Sequence, residues 1–436
     1  MTAQERLALD FLTIRGAASS ADIRAALGVS QPTMSRILGA LSDELVTMGA
    51  GKRTRYAVAH PIGTHPSQQP IWLVGEDGIA QRVGTLNFLA QSQVHVQAEG
   101  VNDIYTPLPN HPLPWYLSGL RAQGFLGRIL AQRLSDQQLA SNPETWDTHA
   151  VLLAALHTHD APGALLLGAI ANKPAIRVIS LAATGAVLDA LSQDVARTLP
   201  TGSSAGGEQP KFPVRGDDGA SYLVKFSPPK GTPFGDRWSD LLCAEALSSL
   251  ILNRHGYDAA PSHIVQTDTR TYLLSKRFDR CGTDGRQHVV SVGEAHAAFV
   301  KGPYGNWALT CDALARQKRL STKDADLAHA KLQFGRLIGN TDMHSGNAGL
   351  FAKGQTLAEL VSGNFTWAPV YDMLPMRWKP DPMVGQGDYA SFDVDLSFAS
   401  ESIRGAAADF WQAATQGEQF SQEFRKLAAA MVAQFR

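Results

Sequence analysis

Ile338-Gly339-Asn340-Thr341-Asp342-Met343-His344-Ser345-Gly346-Asn347 decides how the rest of the chain is read. It follows a helix-like segment, Ala328 to Leu337, and precedes the apolar pair Leu350-Phe351. Asp342 and Asn347 stand in the order D-x-x-x-x-N. Phosphoryl transfer has a use for that order: an Asp accepts or orients the attacking hydroxyl, and an Asn one loop turn later offers a neutral oxygen to Mg²⁺. Mg²⁺ also takes a charged oxygen ligand. Asp372, in Pro369-Val370-Tyr371-Asp372-Met373-Leu374-Pro375, is the best candidate, because it closes a strand-like run just before a proline. Taken alone, the stretch also reads as a loop that caps itself, since Asp, Asn and Gly all favour turns.

Upstream segments supply the other parts of a nucleotide site. Gly202-Ser203-Ser204-Ala205-Gly206-Gly207-Glu208-Gln209-Pro210-Lys211 is a Gly/Ser-rich loop ahead of the strand Phe212-Pro213-Val214. Glycines let backbone N–H groups approach phosphate oxygens, and Lys211 is close in sequence. The loop is neither a Walker A sequence nor G-x-G-x-x-G, and a plain hairpin loop is its simplest reading. Ser221-Tyr222-Leu223-Val224-Lys225-Phe226 places a lysine inside an apolar strand. Lysine is rarely buried without a partner. A strand lysine that reaches phosphates and is braced by a helix glutamate is one way to use it. Glu245, on a following amphipathic helix, is a fair brace. Tyr272 to Arg280 is a strand running into a polar segment, which suits a hinge whose backbone pairs with adenine while Phe278 packs nearby. Arg277, Asp279 and Arg280 also read as a structural ion-pair cluster, the role expected for at least two of them.

The combined set closely resembles the HipA-type Ser/Thr kinase toxins. It comprises Ser204 to Lys211, Leu223-Val224-Lys225-Phe226, Arg277-Phe278-Asp279-Arg280, Gly339 to Asn347 and Tyr371-Asp372. The resemblance runs in order and spacing over residues 70 to 436. It implies an α+β, two-lobed protein-kinase-like fold that uses ATP and Mg²⁺. Asp342 would be the catalytic base, Asn347 and Asp372 the metal ligands, and Lys225 the phosphate-gripping lysine braced by Glu245. Gly206, Gly207, Glu208, Gln209, Pro210 and Lys211 would cover the phosphates. Lys276, Arg277 and Phe278 would hold adenine, with His344, Ser345, Gly346 and Tyr371 completing the nucleotide site. Ser204, or its neighbour Ser203, falls where family members phosphorylate themselves. A protein substrate is implied, such as an aminoacyl-tRNA synthetase or another translation component. Two departures stand out. Lys276 replaces a residue often acidic in the family, and Pro210 removes one N–H donor from the phosphate loop.

Residues 1 to 60 read as a winged helix-turn-helix, the DNA-binding module fused to some members. Leu7, Leu9, Phe11, Leu12 and Ile14 mark a first helix, and Ser19 to Asp22 cap a second carrying Ile23, Ala26 and Leu27. Gly28 turns the chain, and Ser30-Gln31-Pro32 opens a third helix. That helix faces inward with Met34, Ile37, Leu38 and Leu41, and outward with Gln31, Thr33, Ser35 and Arg36. The hairpin that follows carries Lys52, Arg53 and Arg55 as a basic wing. Seven Lys/Arg against five Asp/Glu leave this unit at +2, so phosphate contacts should be few. Such readers work as pairs on two half-sites, which makes a homodimer an expectation.

The 436 residues suggest two or three domains. A net charge of −1 means that any DNA contact must come from a local basic patch. Cys243, Cys281 and Cys311 lack C-x-x-C spacing and suit a reducing cytoplasm. No apolar leader and no run of roughly 18 apolar residues is visible, so neither a signal peptide nor a membrane span is expected. The expected layout is the DNA-reading unit over 1–60, a Pro-rich linker over 61–70 and a β-rich subdomain over 71–200. The nucleotide-binding part of the small lobe follows over 201–290, and a helical lobe with the catalytic loop over 291–436. Within 71–200 no chemistry is expected, and His157, His159 and Asp160 read as a solvated helix end. Two rival readings are a DNA-binding regulator with a silent kinase lobe and a Mg²⁺-dependent nuclease built on Asp342 and His344.

Overall fold

The computed structural model describes residues 1–170, 176–182, 184–198, 209–381, 385 and 387–435. The chain opens with three helices, Ala3–Arg15, Ser20–Leu27 and Gln31–Ala40, and an antiparallel hairpin of Leu45–Met48 and Arg55–Val58. Each helix starts where its sequence caps it. Thr2 and Glu5 form a capping box, as do Ser19 and Asp22, and Ser30 accepts from Thr33 N–H. Ala8, Leu12, Ile23, Met34, Ile37 and Leu41 make the core. Leu7 and Ile14, expected to face inward, are instead 57% and 75% exposed. Gly16, at φ +80°, ends the first helix where Gln93 of the next unit comes so close that a Cβ would clash. Ala17 N–H donates to Gln93 Oε1 there (2.8 Å).

The expected linker over 61–70 is packed structure. Ile62 is fully buried, His60 N–H donates to Phe88 O, and the strand Gln68–Val74 already includes Pro70. That strand belongs to an antiparallel sheet in the order Val101–Tyr105, Val94–Ala98, Ala80–Phe88, Gln68–Val74, Leu165–Leu167. Helices Gly124–Arg133 and Thr148–Leu156 complete the unit.

A second sheet runs Ser262–Gln266, Thr271–Lys276, Ser221–Phe226, Lys211–Gly216, Val178–Ile179. Only its last pairing is parallel. Strand Val178–Ile179 and helix Gly185–Thr198 therefore belong with this second sheet, although they precede the expected boundary at 200. Alternation divides the sheet's faces. Phe212, Val214, Tyr222, Val224, Phe226, Tyr272 and Leu274 pack with Leu188 of that helix. The opposite face presents Lys225 toward Glu245 on the long helix Pro233–Arg254.

The remainder is helical, around a small sheet of Val289–Ser291, Gly349–Ala352 and Phe365–Trp367. Helix Thr322–Leu337 lies against Glu401–Gln416, whose Phe410 and Trp411 are fully buried. Trp411 Nε1 donates to Leu337 O (3.2 Å), satisfying a terminal helix carbonyl just before the opening stretch begins.

Asp160 is not solvated at a helix end. Its carboxylate accepts from Arg277 (2.7 Å) and Arg280 (3.0 Å), and both guanidinium groups also bond Asp279. This buried cluster joins the middle unit to the segment that follows strand Thr271–Lys276 of the second sheet. It bears out the structural reading of Arg277, Asp279 and Arg280.

Lys331, on the helix leading into the opening stretch, is 1% exposed, and its ammonium has no hydrogen-bond partner among the described residues. It lies 5.0 Å from the Trp367 ring centroid. Burial pushes its pKa down to about 7, against the pull of Asp258 and Asp324. A depressed lysine pKa means that the unfolded chain binds more protons between pH 7 and the unperturbed value near 10.4. Lys331→Met should therefore raise Tm by several degrees at and below pH 7, and the gain should shrink toward pH 10. Thermal melts of both proteins across that range would check this.

Candidate active site

The site is built around one strand lysine. Lys225 is 6% exposed, and its Nζ donates to Glu245 Oε1 (2.7 Å) and Oε2 (2.8 Å) and to Asp372 Oδ1. Antiparallel register sets Lys211 directly opposite Lys225. Like charges in such a pair repel, so the two carboxylates are what make the arrangement tenable. Burial would raise the Asp372 pKa, but Lys225 and Lys211 hold it down to about 2. Glu245 is raised by burial, which its bond to Lys225 only partly offsets. Asp372 itself sits at φ +52°, a left-handed conformation rare outside glycine.

The opening stretch is a loop pinned at several points. Asp342 N–H donates to Asn340 Oδ1 (2.9 Å), and Asn340 Nδ2 reaches Asp372 O (3.4 Å). Asn340 thus ties the loop to the Asp372 turn. Asn347 Nδ2 donates to Asp342 O (2.9 Å), which leaves its Oδ1 as the atom available to a cation. Tyr371 OH donates to Gly346 O (2.7 Å), and Trp307 Nε1 to His344 O (2.8 Å). Gly346 N–H donates to His344 Nδ1 (3.1 Å), so this imidazole shapes its own turn. Gly293 N–H donates to Ser345 O (3.2 Å). Asp342 is half-buried.

At the hinge segment, Phe278 packs against Tyr371 at 5.4 Å and Phe351 at 5.8 Å between ring centroids. Lys276 N–H donates to Pro261 O and Arg277 N–H to Ser221 O, both at 2.8 Å. Those two backbone donors are therefore engaged, and the Arg277 guanidinium is committed to Asp160 and Asp279. The Arg277 side chain is a structural latch, so any part of Arg277 in a nucleotide site falls to its backbone carbonyl. Gln209 Nε2 donates to Phe226 O, and Pro210 O accepts from Phe226 N–H (3.1 Å), so these residues extend the sheet beside Lys225. Ser203, Ser204, Gly206, Gly207 and Glu208 lie outside the described residues.

The donor set fits the expected cofactors. Two lysines in register would offer cations to phosphate oxygens, and one carboxylate with one amide would suit Mg²⁺, which keeps waters and phosphate oxygens as its other ligands. Among the described residues no three His, Cys, Asp or Glu side chains gather into a metal cage. Sequence reasoning missed Asn340 and the Lys211–Lys225 apposition. The N-x-D spacing signals the first, and the second depends on strand register. Beyond Asp372 the chain returns to the long helix. Arg237 donates to Trp378 O (3.1 Å) and Gly387 O (2.9 Å) and stacks on Tyr389 at 3.7 Å.

In the N-terminal unit, Gln31, Ser35, Arg36, Lys52, Arg53 and Arg55 are exposed and Thr33 is half-buried. Lys52 and Arg53 lie in the hairpin's turn rather than on its second strand. Arg55 pairs loosely with Asp22 (3.4 Å).

Comparison with known proteins agrees with this geometry. Residues 203–436 match the HipA-like C-terminal domain, and residues 65–176 the middle domain of YjjJ-like toxins. The chain belongs to the HipA family of toxins. Toxin YjjJ of Escherichia coli is 32% identical over 96% of this chain and 95% of its own length. HipA of Shewanella oneidensis, solved with HipB and operator DNA, covers 84% of this chain and 95% of that chain. Its TM-score is 0.54 at 15% identity, a likeness of fold. The likeness supports the α+β, kinase-like fold class expected from the sequence, and no helix among the described residues is long and apolar enough to cross a membrane.

Replacing Lys225 by Met removes the one ammonium bonded to both Glu245 and Asp372 and leaves only the influence of Lys211 on the pair. Removing one side of a buried ionic group costs about 3 kcal/mol. One of the two carboxyls must then hold a proton in the folded state, so stability falls as pH rises. The Lys225→Met deficit in denaturant unfolding should be near 3 kcal/mol at pH 7.5 and clearly smaller at pH 5.

Proposed function

We propose that this HipA-family toxin is an ATP- and Mg²⁺-dependent Ser/Thr protein kinase whose N-terminal unit reads DNA. The observation that carries the reading is Lys225, held between Glu245 and Asp372 with Lys211 opposite, beside a loop that fixes Asp342 and Asn347. Lys225 and Lys211 attract phosphate oxygens. Asp372, kept ionised, and Asn347 would hold Mg²⁺, which when bound neutralises phosphate charge. Asp342 orients the hydroxyl of a protein substrate and takes its proton. Its backbone is fixed by Asn340 and Asn347, so positioning supplies much of the effect. The loop carrying Ser203 and Ser204 is the proposed site of self-phosphorylation. A translation component such as an aminoacyl-tRNA synthetase remains the proposed protein substrate, and the cytoplasm the proposed compartment. The nuclease alternative would have to use His344 through Nε2, because Nδ1 accepts from Gly346 N–H.

The three helices and hairpin are read as a winged helix-turn-helix. Its Gln31, Thr33, Ser35 and Arg36 would enter the major groove, with Lys52, Arg53 and Arg55 on the backbone. The solved Shewanella oneidensis HipA assembly contains HipB and operator DNA. Here the fused unit would supply the DNA contact in one chain. Exposed Leu7 and Ile14, seven apart on one helix face, suit pairing of two copies.

Intact mass after incubation with ATP and Mg²⁺, followed by peptide mapping, tests the kinase. One added phosphate on Ser203 or Ser204 is expected, at a rate at least about a hundredfold lower in Asp342→Ala. No phosphate and no nucleotide binding would overturn it. For the DNA reading, salt-titrated anisotropy on the duplex upstream of the gene is informative. Lys52→Ala with Arg53→Ala should lower the salt slope by about two, whereas Arg36→Ala should mainly erode preference over a scrambled duplex.

A further inference from the structure

A groove of about 470 Å³ lies in the helical lobe, apart from the nucleotide site. It is bounded by helix Val292–Phe299, the loop that follows it, and helix Trp307–Arg316. Phe299, Val300 and Leu309 give it apolar walls, and Leu309 is 57% exposed. His296 fixes the shape of one side, with its ring nitrogens bonded to Thr310 Oγ1 (3.0 Å) and Gly302 O (3.1 Å). The helix that forms its second wall also touches the Asp342 loop, because Trp307, the first residue of that helix, donates to His344 O.

Its charge is one-sided. Lys301 and Arg316 line it, and both are exposed. The acids of the two helices are turned elsewhere: Glu294 bonds His111 (3.2 Å) and Asp312 bonds His329 (3.0 Å). An apolar trough rimmed by cations, with no carboxylate among its lining residues, complements an extended segment that alternates acidic and large apolar side chains.

We infer that this groove docks an acidic, apolar-anchored peptide segment of the protein substrate, next to the loop that would orient its hydroxyl. The inference rests on the kinase reading only for what docking accomplishes. Binding itself can be measured with no nucleotide present.

The probe is a fluorescein-labelled peptide alternating Glu and Leu, without Ser or Thr, titrated by anisotropy with the full-length protein at low salt. Controls carry Lys in place of Glu, or Ala in place of Leu. The Glu–Leu peptide should bind about tenfold more tightly than either control. Arg316→Glu with Lys301→Glu, and separately Leu309→Ser, should each remove about that advantage, and near-ultraviolet circular dichroism should show both variants folded. Asp342→Ala should keep the full affinity, so a failed kinase reading and a failed docking reading give different results. Equal affinity for acidic and basic peptides, or variants that bind as the parent does, would overturn the inference. So would a concentration-dependent dimer in sedimentation that Leu309→Ser abolishes while the peptide stays unbound, because the groove would then be a self-interface.

Discussion

The ammonium of Lys225 is removed from water and held by Glu245 and Asp372, and most of the site's geometry depends on that contact. A buried lysine needs such partners, because desolvation disfavours its charge. The partners come from three places: a central strand, the middle of the long helix Pro233–Arg254, and a turn more than a hundred residues later. One contact therefore fixes the face the strand presents, the rotation of the helix about its axis, and the position of Asp372. The left-handed backbone at Asp372 is tolerated in that setting, and Asn340 carries the constraint onward to the loop holding Asp342 and Asn347.

What was legible in the sequence was what local chemistry determines. Lys225 inside an apolar strand, Glu245 on an amphipathic helix, and the spacing of Asp342 and Asn347 need only a few neighbouring residues to interpret. The helix caps at Thr2, Ser19 and Ser30 are of the same kind. What escaped depends on partners distant in sequence. Asp160 looks like any exposed acid until Arg277 and Arg280 are brought to it. The apposition of Lys211 and Lys225 exists only in one register. Residues 61–70 have a linker's composition, yet Ile62 finds a core to enter. Leu7 and Ile14 show the converse: apolar residues at helical spacing that the described residues leave largely exposed.

The long helix does two jobs at positions eight residues apart. Glu245 braces Lys225, and Arg237, about 12 Å earlier along the axis, holds the carbonyls of Trp378 and Gly387 and the ring of Tyr389. Between them, Asp240 accepts from Tyr389 OH (2.8 Å) and from Ser421 N–H (2.7 Å). A helix is stiff over that length, so the segment following Asp372 and the brace on Lys225 cannot be repositioned independently. The irregular stretch after Asp372 is thus part of the scaffold that positions Lys225 and Asp372.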